Sequence, residues 1–160
     1  MIRDARPEDS DALAMLAGEL GYPTTPAEMA GRFATLSPQD AVLVFDDAGV
    51  LGWIHISVIA LLESDPFAEI RGLVVAAAAR GKGIGSRLVT AAESWAVGRG
   101  CGRLRVRSNV VRGETRLFYE RRGFVVTKTQ NVFDKLLGDP SPALRAPSPR
   151  AAGRGSAERG

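Results

Sequence analysis

A glycine-rich loop between two apolar segments constrains this chain more than any other feature. Residues 80–86 read Arg-Gly-Lys-Gly-Ile-Gly-Ser, after an apolar run at 73–75 and before an amphipathic stretch at 84–97. The pattern predicts a strand, a tight loop and a helix in succession. Glycines let a backbone approach a ligand closely, and the helix N-terminus adds free N–H groups and a positive dipole end. The segment therefore predicts either a phosphate-binding loop or a plain structural turn.

The spacing of the glycines excludes two nucleotide-binding loops. No G-x-x-x-x-G-K-[ST] string of the Walker A type occurs in the chain. A dinucleotide fingerprint needs G-x-G-x-x-G, whereas Gly81, Gly83 and Gly85 alternate and Ser86 stands where the last glycine belongs. Arginines also occupy the region about twenty residues on, where an acidic ribose partner is expected.

The remaining pattern predicts an α+β (mixed α/β) domain. A helical pair comes first, then a meander of strands, then a strand–helix–strand–helix–strand order with a parallel pair near residues 75 and 104. Predicted helices cover 7–20, 26–36, 84–97 and 115–122. Predicted strands cover 1–5, 41–45, 50–58, 69–75, 104–108, 124–128 and 131–137.

Composition divides the chain into a folded domain, 1–137, and a tail, 138–160. The tail is built from Pro, Ser, Ala, Gly and Arg with almost no large apolar residue, so it is expected to be disordered. It carries four arginines against two acidic residues, a charge of +2 out of the chain's +3. A domain so close to neutral has no field that favours binding of nucleic acid.

Residue counts narrow the class of protein further. One cysteine and one histidine are too few for a disulfide framework or a His/Cys zinc site, so no metal is expected. No apolar run approaches the roughly 20 residues of a membrane helix, so no membrane partner is expected. The charged N-terminal segment is not a secretory signal, and together with the lone thiol this predicts a cytoplasmic location.

Two motifs together resemble the GNAT superfamily of N-acetyltransferases. The loop matches its acyl-CoA signature, Arg/Gln-x-x-Gly-x-Gly/Ala, at Arg80, Gly83 and Gly85, and FYERRGF follows at 118–124. The resemblance runs from about residue 2 to 137. It implies a GNAT-like acyl-CoA N-acyltransferase fold: about four helices and a mixed, mostly antiparallel sheet of about six to seven strands, with a splayed parallel pair that binds CoA.

The resemblance also implies which residues contact CoA. The pyrophosphate would lie on the loop, at Arg80, Gly81, Lys82, Gly83, Gly85 and Ser86. The pantetheine arm would pair with the preceding strand, at Leu73, Val74 and Val75. Many members carry an asparagine seven residues before the motif's tyrosine, but Arg112 stands there and Asn109 comes three residues earlier. Either Asn109 or Arg112 would contact CoA, or Arg112 is a solvated helix-start residue.

The same resemblance suggests catalytic residues. Tyr119 would protonate the leaving CoA thiolate, since a phenol of pKa about 10 can protonate a thiolate whose acid has a pKa of about 8.5. Glu69 resembles the general base of histone-type members, but a water relay and a surface strand carboxylate without a catalytic role are alternatives. His55 lies on a predicted strand near the expected acceptor cleft, where it either assists proton transfer or is a packed or half-exposed strand histidine.

These features predict an acetyl-CoA-dependent N-acetyltransferase. The acetyl group would move directly, in a ternary complex, to a primary amine of a small molecule. The acceptor is expected at residues 21–36 and 60–67, where apolar and acidic side chains suit a cationic amine with an apolar body. A protein lysine or N-terminal acetyltransferase and a non-catalytic CoA-binding module are the alternatives. Because dimers are frequent in the superfamily, a homodimer is also expected.

Overall fold

The computed structural model describes residues 1–138. Apart from Gly138, the predicted tail lies outside the described residues. The chain divides into two compact units, Met1–Arg107 and a second that begins at Ser108, and each is described by itself.

Three α-helices of the first unit agree with the sequence pattern. They are α1 (Ser10–Glu19), which follows a 3-10 helix at Pro7–Asp9, α2 (Pro26–Ala34) and α3 (Ile84–Gly98). The predicted start of α2 is confirmed in detail: the Thr25 hydroxyl accepts from the Glu28 N–H, and the Glu28 carboxylate accepts from the Thr25 N–H. Among residues 1–138, no helix combines the length and apolar character needed to cross a bilayer.

The first unit is built on a mixed sheet that has five strands within the described residues. They are β1 (Ile2–Asp4), β2 (Asp40–Asp46), β3 (Val50–Leu61), β4 (Ser64–Val75) and β5 (Leu104–Val106), in the order β1-β2-β3-β4-β5. Strands β1 to β4 are antiparallel, and β4 pairs with β5 in parallel. The α+β architecture and the parallel pair are thus confirmed.

The two faces of the sheet differ in character. A Cβ atom at Gly52 would lie 2.9 Å from the Val74 carbonyl oxygen and 3.3 Å from Leu88 Cδ1 of α3, so the helix packs directly on this strand. Because side chains alternate along a strand, Ile54 and Ile56 share the α3 face, and both are fully buried. Trp53, His55 and Ser57 project from the opposite face.

The parallel pair is short, and its position differs from the prediction. Pairing joins Ala68–Ile70 only to Leu104–Val106, whereas β4 continues to Val75 without a strand partner on that side among residues 1–138. The register with β3 passes from His55↔Gly72 to Ile56↔Ile70, which leaves Arg71 as an extra residue in β4. Such a β-bulge bends its strand and interrupts the ladder. The splay expected beside β4 therefore begins at Arg71.

The second unit contains α4 (Gly113–Arg121) and corrects two predictions. The chain turns at Gly123 (φ +88°) as expected, but neither 124–128 nor 131–137 forms a strand in the described structure. Val125 and Phe133 are 80% and 87% exposed. Alternating apolar residues indicate only that a segment can be extended, and a strand also needs a neighbour to pair its N–H and C=O groups. The described sheet therefore has five strands rather than about six to seven.

Candidate active site

The glycine loop adopts backbone geometry that its residue types permit. Gly81 and Gly83 have φ values of +79° and +77°, and Gly83 is the N-cap residue of α3. A Cβ atom at either position would have no neighbour within 4 Å. Glycine is therefore suited to these positions by conformation, because L side chains rarely adopt the left-handed region, and the loop surface above it is open.

The loop presents a continuous row of backbone donors. From Gly81 to Ser86, no N–H group has a hydrogen-bond acceptor among the described residues, and the first paired amide is that of Arg87, which donates to the Gly83 carbonyl. Three of these groups belong to the first turn of α3, where the helix leaves N–H groups unpaired and its dipole is positive. Such donors, with the exposed Lys82 between them, fit a diphosphate.

Two contacts hold the loop against the rest of the first unit. The Arg80 Nε donates to the Val75 carbonyl at 3.2 Å, so the side chain of the loop's first residue turns back onto the end of β4. The Glu19 carboxylate of α1 accepts from the Ala77 N–H at 2.8 Å, just after β4.

Strand β4 leaves backbone groups unpaired beyond the bulge. The Ala76 N–H donates to the Leu51 carbonyl of β3 at 2.8 Å. Because successive residues of a strand direct their N–H groups to opposite sides, those of Leu73 and Val75 point away from β3, toward the side where β5 no longer pairs. This edge is suited to an extended ligand that hydrogen-bonds like a strand.

Glu69 lies at the start of the splay and is paired with two arginines. Its side chain is 3% exposed, its Oε1 accepts from the Arg107 Nε at 2.8 Å, and its Oε2 accepts from Arg71 Nη1. The side chains of Arg71 and Arg107 are 46% and 57% exposed. Neither arginine was predicted as its partner, because Arg71 lies in a bulge and Arg107 follows β5, which α3 separates from β4 along the chain. The alternation of arginines at 103–107 was the available signal.

A second polar cluster lies on the same face of the sheet. Asp40 Oδ1 accepts from the Ser57 hydroxyl and faces His55 Nε2 at 3.3 Å, while Oδ2 accepts from the Ser37 N–H and hydroxyl, each at 2.9 Å. Burial raises the pKa of Asp40, but the hydrogen bonds from Ser57, Ser37 and His55 outweigh it and lower this pKa to about 2. Asp40 therefore remains a carboxylate at neutral pH.

The second unit holds the other predicted residues. Tyr119 is buried, and its ring packs edge to face against the rings of Phe118 and Phe124, with centroid distances of 5.0 and 5.3 Å. The Asn109 side-chain oxygen accepts from the Val111 N–H at 3.1 Å, within its own turn. Arg112 is exposed and immediately precedes α4. The donor loop and the β4 edge thus come together within the first unit, and Asn109, Arg112 and Tyr119 are described apart from them.

Comparison of the sequence with models of known protein families assigns this chain to a family. The acetyltransferase (GNAT) family matches residues 11–124, which include β4, the glycine loop, α3 and α4. This chain belongs to the GNAT acetyltransferase family. GNAT acetyltransferases are acyltransferases (EC 2.3.1.-) and use acetyl-CoA, which agrees with the unpaired donors of the loop.

Solved structures agree with this GNAT fold. A putative acetyltransferase from Agrobacterium tumefaciens is 26% identical, with a TM-score of 0.77 over 84% of this chain and 99% of that one. The aminoglycoside 6'-N-acetyltransferase AAC(6')-IG from Acinetobacter haemolyticus is 18% identical, with a TM-score of 0.74 over 86% and 99% of the two chains. An aminoglycoside N-acetyltransferase in complex with CoA, AAC(6')-Iy, is 17% identical, with a TM-score of 0.71 over 86% and 100%. No curated protein sequence gives a significant match.

Proposed function

We propose that this GNAT acetyltransferase moves the acetyl group of acetyl-CoA to a primary amine of a small molecule, directly, in a ternary complex. The row of unpaired N–H groups from 81 to 86, beside the unpaired edge of β4, carries the proposal. The loop would hold the pyrophosphate, and the β4 edge would pair with the pantetheine arm.

The reaction sets three requirements. The amine nitrogen bonds to the thioester carbonyl carbon and the C–S bond breaks. An ammonium acceptor loses one proton to become a nucleophile and a second as the tetrahedral adduct becomes the amide, while the CoA thiolate gains one, so one proton is released to water overall. The carbonyl oxygen needs a donor as its charge develops, and one preorganised donor is worth about 3–4 kcal/mol. The unpaired Leu73 and Val75 N–H groups are suitable donors. By family resemblance, Tyr119 supplies the proton for the thiolate.

Glu69 receives a different role from the one its spacing suggests. Both of its carboxylate oxygens accept hydrogen bonds from arginines, and its side chain is 3% exposed. A base must reach the proton that it removes, and these lone pairs are already engaged. In this proposal Glu69 is a positioning residue that holds Arg71 and Arg107 where β4 and β5 separate.

The small-molecule acceptor draws support from structural likeness. Several solved structures of the same fold are aminoglycoside N-acetyltransferases. A protein lysine acetyltransferase and a CoA-binding module are the competing functions. Contacts from Asn109 or Arg112 to CoA, a homodimer and a cytoplasmic location stay predictions.

Two measurements on the full chain test the function. Isothermal titration with CoA and acetyl-CoA should give saturable binding. Release of free CoA thiol should then be followed with a panel of putrescine, glucosamine, kanamycin and a lysine-containing peptide. Turnover with one of the first three supports the proposal, turnover with the peptide alone favours a protein acetyltransferase, and binding without thiol release favours a CoA-binding module.

A further inference from the structure

The chain's only histidine lies beside the splay of the sheet. His55 pairs with Gly72, the residue that follows the bulge at Arg71, so it borders the β4 segment assigned to the thioester. Its side chain is 28% exposed, and it projects from the face that also carries Ser57 and Glu69. On that face Asp40 lies opposite Ser57, and Ser57 lies opposite Glu69, so one polar row crosses three strands.

The neighbouring tryptophan independently indicates a ligand at this place. Trp53 precedes His55 by two residues on the same face, and a Cβ atom at Gly72 would lie 3.0 Å from its ring atom Cζ3. Its indole Nε1 is buried and has no hydrogen-bond partner among residues 1–138. A buried donor without a partner calls for an acceptor, and a bound substrate oxygen beside Gly72 would supply one.

Asp40 determines which nitrogen of His55 is basic. An ionised carboxylate only accepts hydrogen bonds, so the Nε2 that faces Asp40 Oδ1 at 3.3 Å must carry the hydrogen. In the neutral ring the lone pair then belongs to Nδ1. No hydrogen-bond partner of Nδ1 is present within the described part of the chain. Asp40 therefore fixes the ring through Nε2, and the lone pair of Nδ1 is available to a ligand.

We propose that His55 Nδ1 removes the proton from the acceptor's ammonium group and that Asp40 is the positioning residue that fixes the ring's tautomer. The inference rests on the proposed acetyl transfer. The N–H bond of the ammonium breaks, its electron pair stays on nitrogen for attack on the carbonyl carbon, and the proton bonds to Nδ1. The resulting imidazolium keeps its Nε2–H on the Asp40 carboxylate and later returns the proton to water.

The charges on this face are compatible with that step. Asp40 on β2 contributes a negative charge next to the ring. Glu69 on β4 contributes another, which is paired with Arg71 and Arg107, so the four charged groups sum to zero. Of the two candidate bases, Glu69 has both oxygens occupied and His55 has a nitrogen available.

Nuclear magnetic resonance of the full chain with ¹⁵N-labelled histidine reads the tautomer without any turnover. One histidine gives one pair of ring nitrogens, so the assignment is direct. In wild-type protein with an uncharged His55 ring, the expected tautomer carries its hydrogen on Nε2. D40N should shift the population toward the tautomer with hydrogen on Nδ1. The Asn amide can donate as well as accept, so Nε2 no longer needs to carry a hydrogen. S57A, which removes another partner of Asp40, should keep the wild-type tautomer. A wild-type Nδ1–H ring overturns the inference.

Kinetics with the panel amine of highest wild-type kcat/KM test the catalytic role. A positioned base typically contributes 10²–10⁴-fold, so H55Q should lower kcat by about a hundredfold or more. D40N should lower kcat by about tenfold, and both variants should bind acetyl-CoA within twofold of wild type. H55N provides a second substitution if H55Q does not fold.

The outcomes separate this inference from the function on which it rests. Wild-type transfer with an H55Q or H55N kcat within threefold of wild type overturns the role of His55 and leaves the acetyltransferase proposal standing. Wild-type protein that acetylates no panel amine overturns both proposals. Loss of turnover in the His55 variants with unchanged acetyl-CoA affinity supports both.

Discussion

The Arg80 guanidinium donates to the Val75 carbonyl oxygen at 3.2 Å, and this contact joins the glycine loop to the last residue of β4. The loop would bind the pyrophosphate of CoA and the strand its pantetheine arm, so the relative position of loop and strand would determine where the thioester lies. We expect this contact to fix the position of the loop relative to the strand, and with it the proposed CoA site.

The left-handed conformation of the loop predicts a specific effect of alanine at Gly83. Because φ is +77° there, G83A should destabilise the loop by about 1 kcal/mol and weaken CoA binding about tenfold, as the donor row shifts. Calorimetric titration measures the affinity. G18A is the matched control, since Gly18 lies inside α1 with nothing within 4 Å of its Cβ position. Equal CoA affinity of G83A and wild type would contradict the role of the loop.

The contact of α3 with the sheet predicts a stability effect at Gly52. A Cβ atom there would lie 2.9 Å from the Val74 carbonyl oxygen, so backbone must move to admit it. G52A should lower the free energy of unfolding by about 1–3 kcal/mol, the usual cost of overpacking. Urea unfolding measures this, with G31A of α2 as a control in open space. Wild-type stability of G52A would show that β4 and α3 do not pack so closely around Gly52.

The lowered pKa of Asp40 predicts how stability depends on pH. A carboxyl with a pKa of about 2 in the folded chain and about 3.8 unfolded stabilises the fold above pH 4, and the contribution disappears as pH falls toward 2. It amounts to about 2 kcal/mol. The difference in unfolding free energy between wild type and D40N should therefore narrow between pH 5 and pH 2.

The comparison with D40N isolates this carboxyl. Asp9 and Asp46 also have lowered pKa values, through hydrogen bonds from Arg3, but both are present in the two proteins and cancel in the difference. D65N replaces an exposed aspartate and should follow wild type over the whole pH range. A gap between wild type and D40N that stays constant from pH 5 to pH 2 would rule out the assigned linkage.

The assigned acid predicts a selective effect at Tyr119. Y119F should lower kcat at least about tenfold, because the phenol no longer supplies a proton to the thiolate, while CoA affinity changes little. The ring contacts with Phe118 and Phe124 do not involve the hydroxyl and are retained. Steady-state kinetics and titration with CoA separate the two quantities. Unchanged turnover would remove Tyr119 from the mechanism.

The two arginine partners of Glu69 predict how E69Q behaves. Replacing a positioning residue lowers the rate but leaves the general base itself in place. E69Q should therefore keep the acidic limb of the pH–rate profile, while kcat/KM for the amine falls. R71Q removes one partner and should lower kcat/KM in the same direction. An acidic limb that disappears in E69Q would restore Glu69 as the general base.

Patterns of neighbouring residues predicted much of the first unit. Most of the features that were not predicted depend on contacts between residues far apart in the sequence. The capping box at Thr25, the β2–β3 hairpin and the strand–loop–helix unit around Gly83 each depend on residues close together in sequence, and all three are present. The bulge at Arg71 and the ion pair of Glu69 with Arg107 depend on how separate strands pair, which periodicity does not encode.

The two strands expected after Gly123 show the converse error. Their apolar alternation is real, but alternation alone does not provide a neighbouring strand, and the described structure has none at 124–128 or 131–137. The loop's position before α3 was predictable because glycine spacing is a local property. The role proposed for Asp40 needed the structure, since only the pairing of β2 with β3 brings it to His55.

Amide chemical shifts during titration of the ¹⁵N-labelled full chain with CoA examine the donor row itself. Binding of the pyrophosphate by main-chain groups should move the amide protons of residues 81–86 strongly downfield, while amides of α2 stay in place. Saturable CoA binding that leaves the 81–86 amides unshifted would contradict the proposed site.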